Sequence, residues 1–190
     1  GFIPSAVVVR ACNIIAPGDI NFGRVFPRTI IPCLRGENPK LYRPPRQLRE
    51  YMFIDDAVAG LITLDAGLRT HTPKHAGAVP ADNHPPTLAQ RVHGQVFNVG
   101  SGHQRSLEEV VTSILQHFPG REPEWFAPPK ISHIEIPFQR LDTTKLERTI
   151  GWRAQVSFEE TISRLVDWWR TRFDGLPASI RNFRVDGWHS

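Results

Sequence analysis

Chemistry on a sugar or a carbonyl needs a group that moves a proton, and this chain offers few. Its two tyrosines are Tyr42 and Tyr51, and four residues beyond them stand Arg46 and Asp55. A lysine there would lower the phenol pKa and make a usable base; neither tyrosine has one. No Ser, His and Asp fall in an order that reads as a nucleophile with its base. His103, His117, His133 and His189 have no obvious nucleophile partner, and a pairing in space stays open. Gly100-Ser101-Gly102 follows a strand pattern and precedes a helix pattern, as a dinucleotide-binding turn would. The third glycine is missing, Arg105 and Ser106 stand in its region, and no acidic residue ends a following strand. A tight turn is the preferred reading. Cys12 and Cys33 lie in apolar stretches and read as buried, inert thiols. His71, His75, His84 and His93 are irregularly spaced, without a Cys or carboxylate cluster to complete a metal site.

The charge points to a class of ligand. There are 23 basic and 19 acidic residues, a net +4, and the basic ones are scattered. That mild excess suits an anionic small molecule such as a nucleoside diphosphate. No basic block interleaved with aromatics appears, so nucleic acid is not expected. No apolar run approaches the roughly 20 residues that span a bilayer, so no membrane is expected either. Two cysteines cannot frame a disulfide-stabilised domain, and no signal peptide is visible, so a cytoplasmic setting is expected. A length of 190 residues fits one domain or part of a larger one. The chain opens on Gly1 and not on Met, so its natural start need not be this residue.

These groups must be positioned by a mixed set of elements. Residues 6–12 read as a strand buried on both faces, which calls for parallel neighbours supplied elsewhere in the chain or upstream of it. Residues 24–35 read as a helix with Pro27 in its first turn and a kink or early end at Pro32. Residues 49–54 read as a short strand. Asp55 or Asp56 then caps a helix over 57–69 with Val58, Leu61, Ile62 and Leu68 on one face. Residues 70–94, rich in Pro, Gly and Ala, read as a mobile surface insertion. Residues 95–100 read as another buried strand. Ser106 with Glu109 forms a capping box for a helix carrying Leu107, Val110, Val111, Ile114, Leu115 and Phe118. Asp142 caps a short helix ending at Gly151. Ser157 with Glu160 forms a second capping box that opens a last helix reaching about Phe173, in which one of Trp168 and Trp169 is core and the other half-exposed. The tail, 174–190, shows no periodicity.

Four segments, in order, resemble one family. RACNIIAPGDINFGRVFP carries Arg10, Asn13, Pro17, Gly18, Asp19, Arg24 and Pro27; REYMFIDDAV carries Arg49, Tyr51 and Asp56; QVFNVGSG carries Asn98. SHIEIPFQRLDTTKLERTIGW carries Asp142, Lys145, Gly151 and Trp152. Together they resemble the C-terminal, substrate-binding half of extended short-chain dehydrogenase/reductases of the NAD-dependent epimerase/dehydratase family. His133, Glu135, Gln139, Leu141 and Asp142, with Gly18, Asp19, Asn21, Arg24 and Pro27, are nearest to CDP-glucose 4,6-dehydratase-like members. The sequence departs from the family at Ile15-Ala16, at Glu50 and at Ser132, where the family has Tyr-Gly, Asp and often Arg.

The resemblance implies an α/β fold: the helix-rich substrate-binding lobe of an extended short-chain dehydrogenase, with one or two strands of the parent parallel Rossmann sheet. Residues 1–173 would form that lobe and 174–190 a tail. The family's Gly-rich NAD turn and its Tyr-x-x-x-Lys lie upstream of this stretch, so the NAD-binding part is expected to be absent. The complete enzyme would hold NAD, oxidise a hexose at C4, eliminate water across C5–C6 and return the hydride to C6. This chain alone is expected to bind no NAD, to supply no catalytic group, and to be incomplete for catalysis. It would supply the clamp for a nucleotide sugar: Asn13 near the diphosphate, Arg49 on the phosphates, Glu135 on ribose hydroxyls, and Arg24 and Gln139 near the nucleotide. Simpler roles stand beside these. Arg49 reads also as an ion pair with Glu50 or Asp55, Asn13 as a turn cap, Glu135 as a solvated surface residue and Asp56 as an N-cap. A 4-epimerase, or a degenerate homologue that binds a nucleotide sugar without catalysis, would share the lobe, and family members are often homo-oligomers.

Overall fold

The computed structural model describes residues 6–42, 47–69, 86–127 and 136–184. Among the described residues, three small sheets are threaded between helices. Strands β1 (Val8–Ala11) and β5 (Val96–Val99) pair in parallel, Val8 opposite Val96. Strand β2 (Asn13–Ile15) lies parallel to β4 (Leu48–Phe53), which pairs on its other side antiparallel to β6 (Gln104–Ser106). Strand β3 (Lys40–Tyr42) pairs in parallel with β7 (Glu124–Phe126). The helices are α1 (Val25–Leu34), α2 (Ile54–Arg69), α3 (Leu88–Val92), α4 (Leu107–Leu115), α5 (Thr144–Ile150), α6 (Phe158–Arg172) and α7 (Ala178–Arg181).

Two apolar cores flank β4. One gathers Ile30 and Ile31 of α1, Val110 and Ile114 of α4, and Ile162, Leu165 and Trp169 of α6. The other gathers Met52, Leu64, Val92, Phe97, Val99 and Leu146. Fully burying each such side chain contributes about 1.5–3 kcal/mol. Because strand side chains alternate, Met52 enters the second core while Tyr51 packs against the first. Strand β4 is thus a wall shared by the two cores through Tyr51 and Met52.

The helix starts follow local chemistry. Ser106 accepts from the Glu109 N–H at 3.1 Å, and Glu109 accepts from the Ser106 N–H at 2.6 Å, closing the expected box. Ser157 accepts from Glu160 N at 3.1 Å. The N-cap of α5 is Thr143 and not Asp142 as expected; Asp142, one residue earlier, accepts from Thr144 N at 2.9 Å, and Gly151 ends α5 with φ 70°, the left-handed region where glycine carries no Cβ penalty. Helix α1 runs through Pro32 and stops two residues later, so the proline truncates more than it kinks. Trp169 is buried and Trp168 only partly so, as expected. The first residues of the expected tail fold back: Phe22 and Phe183 stack at 3.9 Å, and Arg35 Nη1 donates to the carbonyls of Arg181 and Phe183.

Four expectations are corrected. Strand β1 is not buried on both faces: Val8 is 54% exposed, and among the described residues β1 sits in a two-stranded sheet with β5. Helix α2 begins at Ile54, so Asp56 lies inside it and not at its cap. Its buried face is built from Asp56, Ala57, Gly60, Leu64 and Gly67, while Val58, Leu61 and Ile62 are exposed. The small residues admit large neighbours: a Cβ on Gly60 would stand 3.2 Å from the Trp152 ring, and one on Gly67 3.4 Å from Val92. The expected insertion over 70–94 ends in α3, capped by a Thr87–Gln90 box, with Ala89 and Val92 buried against α2. That end is a packed helix and not irregular chain; residues 70–85 lie outside the described residues. The α2 face has a direct test. Ile62→Lys is expected to change the unfolding free energy by no more than about 0.5 kcal/mol in a denaturant titration, as surface substitutions do. A loss several times larger would put Ile62 back in a core.

Candidate functional site

The chemistry-bearing residues converge at the N-terminal end of β4. Strand pairing sets Asn13 of β2 opposite Tyr51. From there Asn13 Nδ2 donates to the Glu50 carbonyl at 2.9 Å and to Gln139 Oε1 at 3.2 Å. Gln139 is brought in by the segment after Pro137. Leu48 N donates to the Pro137 carbonyl at 2.9 Å and Gln139 N to the Leu48 carbonyl at 3.0 Å. This extends β4 by a strand-like rung, with Leu48 and Phe138 bridged in parallel. Asn13 is therefore not a turn cap; its amide joins two separate segments.

Arg49 leaves β4 on the same side. Its Nη1 donates to the carbonyls of Ile136 at 2.6 Å and Leu48 at 3.2 Å, and its Nη2 donates to Gln47 Oε1 at 3.1 Å. The ion pairs considered from sequence do not form. Glu50 is fully buried on the opposite face, where its oxygens accept from Gly102 N at 2.7 Å and Leu141 N at 2.6 Å. Asp55 pairs with Arg164 at 3.0 Å. Arg24, just before α1, pairs with Asp19 at 3.0 Å.

Asn13, Arg24 and Arg49 line one open cleft of about 280 Å³, together with Asp19, Gln47 and Tyr51. Gln139 joins them through its bond to Asn13. Of the five residues singled out from sequence, four thus gather here, and Glu135 lies outside the described residues. Sequence reading missed Gln47 and Glu50. Gln47 holds Arg49 through Oε1, while its Nε2 is buried without a partner among the described residues. A guanidinium can only donate, so the amide orientation follows from the bond. Both hydrogens of Asn13 Nδ2 are taken by the Glu50 carbonyl and Gln139 Oε1, so the donors the cleft offers to an anionic or oxygen-rich ligand are the guanidinium groups of Arg24 and Arg49 and the Nε2 of Gln139, tempered by the carboxylate of Asp19. A second cleft of about 310 Å³ lies on the other side of Tyr51, lined by Asp56, His103, Arg105 and Phe158 among others.

Proton-transfer groups remain scarce. Burial pushes the Tyr51 phenol up from its ordinary value, with Arg49 pulling weakly the other way, so it stays protonated at neutral pH. Asp56 is committed to structure: it accepts from Gln155 N at 3.0 Å and Val156 N at 2.9 Å. The glycine turn at 100–102 likewise directs its Gly102 N–H to Glu50. Among the described residues no cluster of His, Cys, Asp and Glu could hold a metal ion. No described helix is long and apolar enough to cross a membrane.

Both thiols are inert by the same logic. Burial, with Glu50 adding to it, pushes the Cys12 thiol up to about 12, and burial pushes Cys33 to about 11. A thiol-specific disulfide reagent at about pH 8 is expected to modify neither until denaturant is added. Thiols of the unfolded chain ionise near 9 and the folded ones only later. Their contribution to stability is therefore complete below about pH 9 and lost as pH rises towards 12. Unfolding midpoints from about pH 8 to about pH 11 should fall less steeply in a Cys12→Ala/Cys33→Ala variant. Rapid labelling of the folded protein would contradict the burial argument.

The chain is similar to several known proteins. The family model described as "NAD dependent epimerase/dehydratase family" matches residues 4–74. A UDP-glucose 4-epimerase of Mycolicibacterium smegmatis is 30% identical over 139 residues, 73% of this chain and 36% of that protein. A dTDP-glucose 4,6-dehydratase of Xanthomonas campestris pv. campestris is 25% identical over 156 residues, 78% of this chain and 38% of that protein. The chain thus spans well under half the length of these curated relatives. Among solved structures, dTDP-glucose 4,6-dehydratase from Streptomyces venezuelae, with NAD and TYD bound, superposes with a TM-score of 0.66. Its identity is 23%, covering 89% of this chain and 45% of that one.

Proposed function

We propose that this chain, which has the extended short-chain dehydrogenase fold and belongs with the NAD-dependent epimerases and dehydratases through residues 4–74, is the nucleotide-sugar-binding portion of a 4,6-dehydratase. The observation that carries the reading is that Asn13, Arg24 and Arg49, from three separate segments, line one cleft, to which Gln139 is tied through its bond to Asn13. Backbone-anchored amides and guanidinium groups at such a cleft suit a diphosphate, where charge-assisted bonds are strongest. Glu135 is proposed to accept from the ribose hydroxyls. The substrate to test first is CDP-glucose, beside the UDP- and dTDP-sugars named for the relatives. The 4-epimerase alternative is favoured by the 30% identity to a UDP-glucose 4-epimerase.

NAD is proposed for the complete enzyme and not for these residues. The described glycine turn directs Gly102 N–H to Glu50, and neither tyrosine has a lysine four residues on. Redox and elimination steps are therefore assigned to no side chain of this chain. Its own residues bind and orient: Arg49 and Arg24 present charge, and Asn13 and Gln139 fix register along the ligand.

Calorimetric titration of the purified 190-residue protein tests the division. CDP-, UDP- or dTDP-glucose is expected to bind, NAD is not, and an ultraviolet assay for a 4-keto product is expected to stay flat. Absence of any nucleotide-sugar binding would remove the assignment. Turnover by the pure chain would overturn the claim that its catalytic groups lie elsewhere.

A further inference from the structure

We propose that the buried carboxylate of Glu50 is the positioning residue of the clamp, holding the 139–141 segment against β4 so that Gln139 and Asn13 meet the ligand as a pre-set pair. The inference rests on the reading of the cleft as a nucleotide-sugar site.

Glu50 is among the largest side chains with no solvent exposure at all. A carboxylate taken out of water costs several kcal/mol unless its oxygens are hydrogen-bonded. Both are: Oε1 accepts from Gly102 N at 2.7 Å and Oε2 from Leu141 N at 2.6 Å. These partners come from segments 52 and 91 residues away, so one side chain ties three stretches of backbone together. Leu141 stands two residues beyond Gln139. The N–H of Gln139 is bonded to the Leu48 carbonyl, and its Oε1 accepts from Asn13 Nδ2. The same Asn13 amide group donates to the Glu50 carbonyl. Glu50 therefore reaches the Asn13–Gln139 pair twice, through its own backbone and through Leu141. The opposite wall leaves it little freedom, since a Cβ at Gly100 would lie within 2.3 Å of Oε1.

Glu50 touches no position where a ligand would sit, so its effect must pass through Gln139. Glu50→Gln keeps the shape but turns an NH₂ towards one of the two backbone donors, which releases one segment. In the purified chain, hydrogen exchange followed by NMR should then accelerate at Leu141 and Gln139 by about tenfold or more, as expected for losing one hydrogen bond to a charged group. Affinity for UDP, dTDP or CDP should fall about tenfold. Gln139→Ala should weaken binding as well, and the double variant should be no weaker than Gln139→Ala alone, because both act through one contact. Additive losses would overturn the proposal, as would unchanged affinity in a folded Glu50→Gln protein. Should Glu50→Gln not fold, Glu50→Asp keeps the charge but is one methylene too short to span both amides, and the same cycle applies to it. If the wild-type chain binds no nucleoside diphosphate, the substrate reading falls by itself. The positioning claim is then decided by exchange: unaltered protection at Leu141 and Gln139 would overturn it.

Discussion

Gly100→Ala is expected to lower the melting temperature by about 6–12 °C, corresponding to roughly 3 kcal/mol at about 2–4 °C per kcal/mol for a chain of this size. The added methyl would stand 2.3 Å from Glu50 Oε1 and 3.1 Å from its carboxyl carbon. That carboxylate cannot swing aside, because it is fully buried and held at both oxygens by Gly102 and Leu141. Relief of the clash must therefore break at least one of those bonds or shift β5 away from the turn. Adding Glu50→Asp to Gly100→Ala draws the carboxylate back and should recover part of the loss. Thermal denaturation followed by circular dichroism measures both. A Gly100→Ala protein melting within about 2 °C of the parent would show that the turn has room the structure denies it.

Arg49→Ala is expected to weaken nucleoside diphosphate binding by about 10- to 100-fold, the equivalent of roughly 1.4–2.8 kcal/mol. The guanidinium is oriented before any ligand arrives, by the carbonyls of Ile136 and Leu48 and by Gln47 Oε1. Preorientation lowers the entropy lost on binding. Arg49→Lys should also bind more weakly, because an ammonium cannot both hold these acceptors and present a planar fork to phosphate oxygens. Titration beside a melting curve of each variant separates the roles. Affinity lost with the melting temperature kept places Arg49 on the ligand. Parallel losses of both would make it a strut between β4 and the 136–139 segment.

Much of the architecture was readable because its signals are local. The boxes at Ser106–Glu109 and the cap at Ser157 join residues three apart, so their chemistry is complete within one turn of sequence. The buried stripe of α4 and the core face of α6 follow from helical period alone. Helix α2 failed by the same rule. Val58, Leu61 and Ile62 point outward, and its core face is made of Ala57, Gly60, Leu64 and Gly67. Hydrophobicity scores a glycine as no contact, whereas here the absent side chain is what lets Trp152 and Val92 approach. Helix α3 was hidden in a Pro-rich stretch because five residues carry too little periodic signal to be seen.

The site divides along the same line. Sequence determined which residue types were available: donors at Asn13, Arg24, Arg49 and Gln139, no tyrosine–lysine pair, and two thiols in apolar runs. Their order resembled one family, and the comparisons agree at the level of epimerases and dehydratases. Tertiary structure decided what each group does. Asn13 meets a glutamine 126 residues away, and Asp56 binds backbone 99 and 100 residues away instead of capping its own helix. Glu50, which from sequence was only a departure from the family pattern and a possible partner for Arg49, became the latch between three segments. The physical reason is range. A cap or a helical stripe is fixed by neighbours along the chain, but a buried carboxylate takes whichever backbone donors the packed fold delivers to it, and those are named only once the chain has closed.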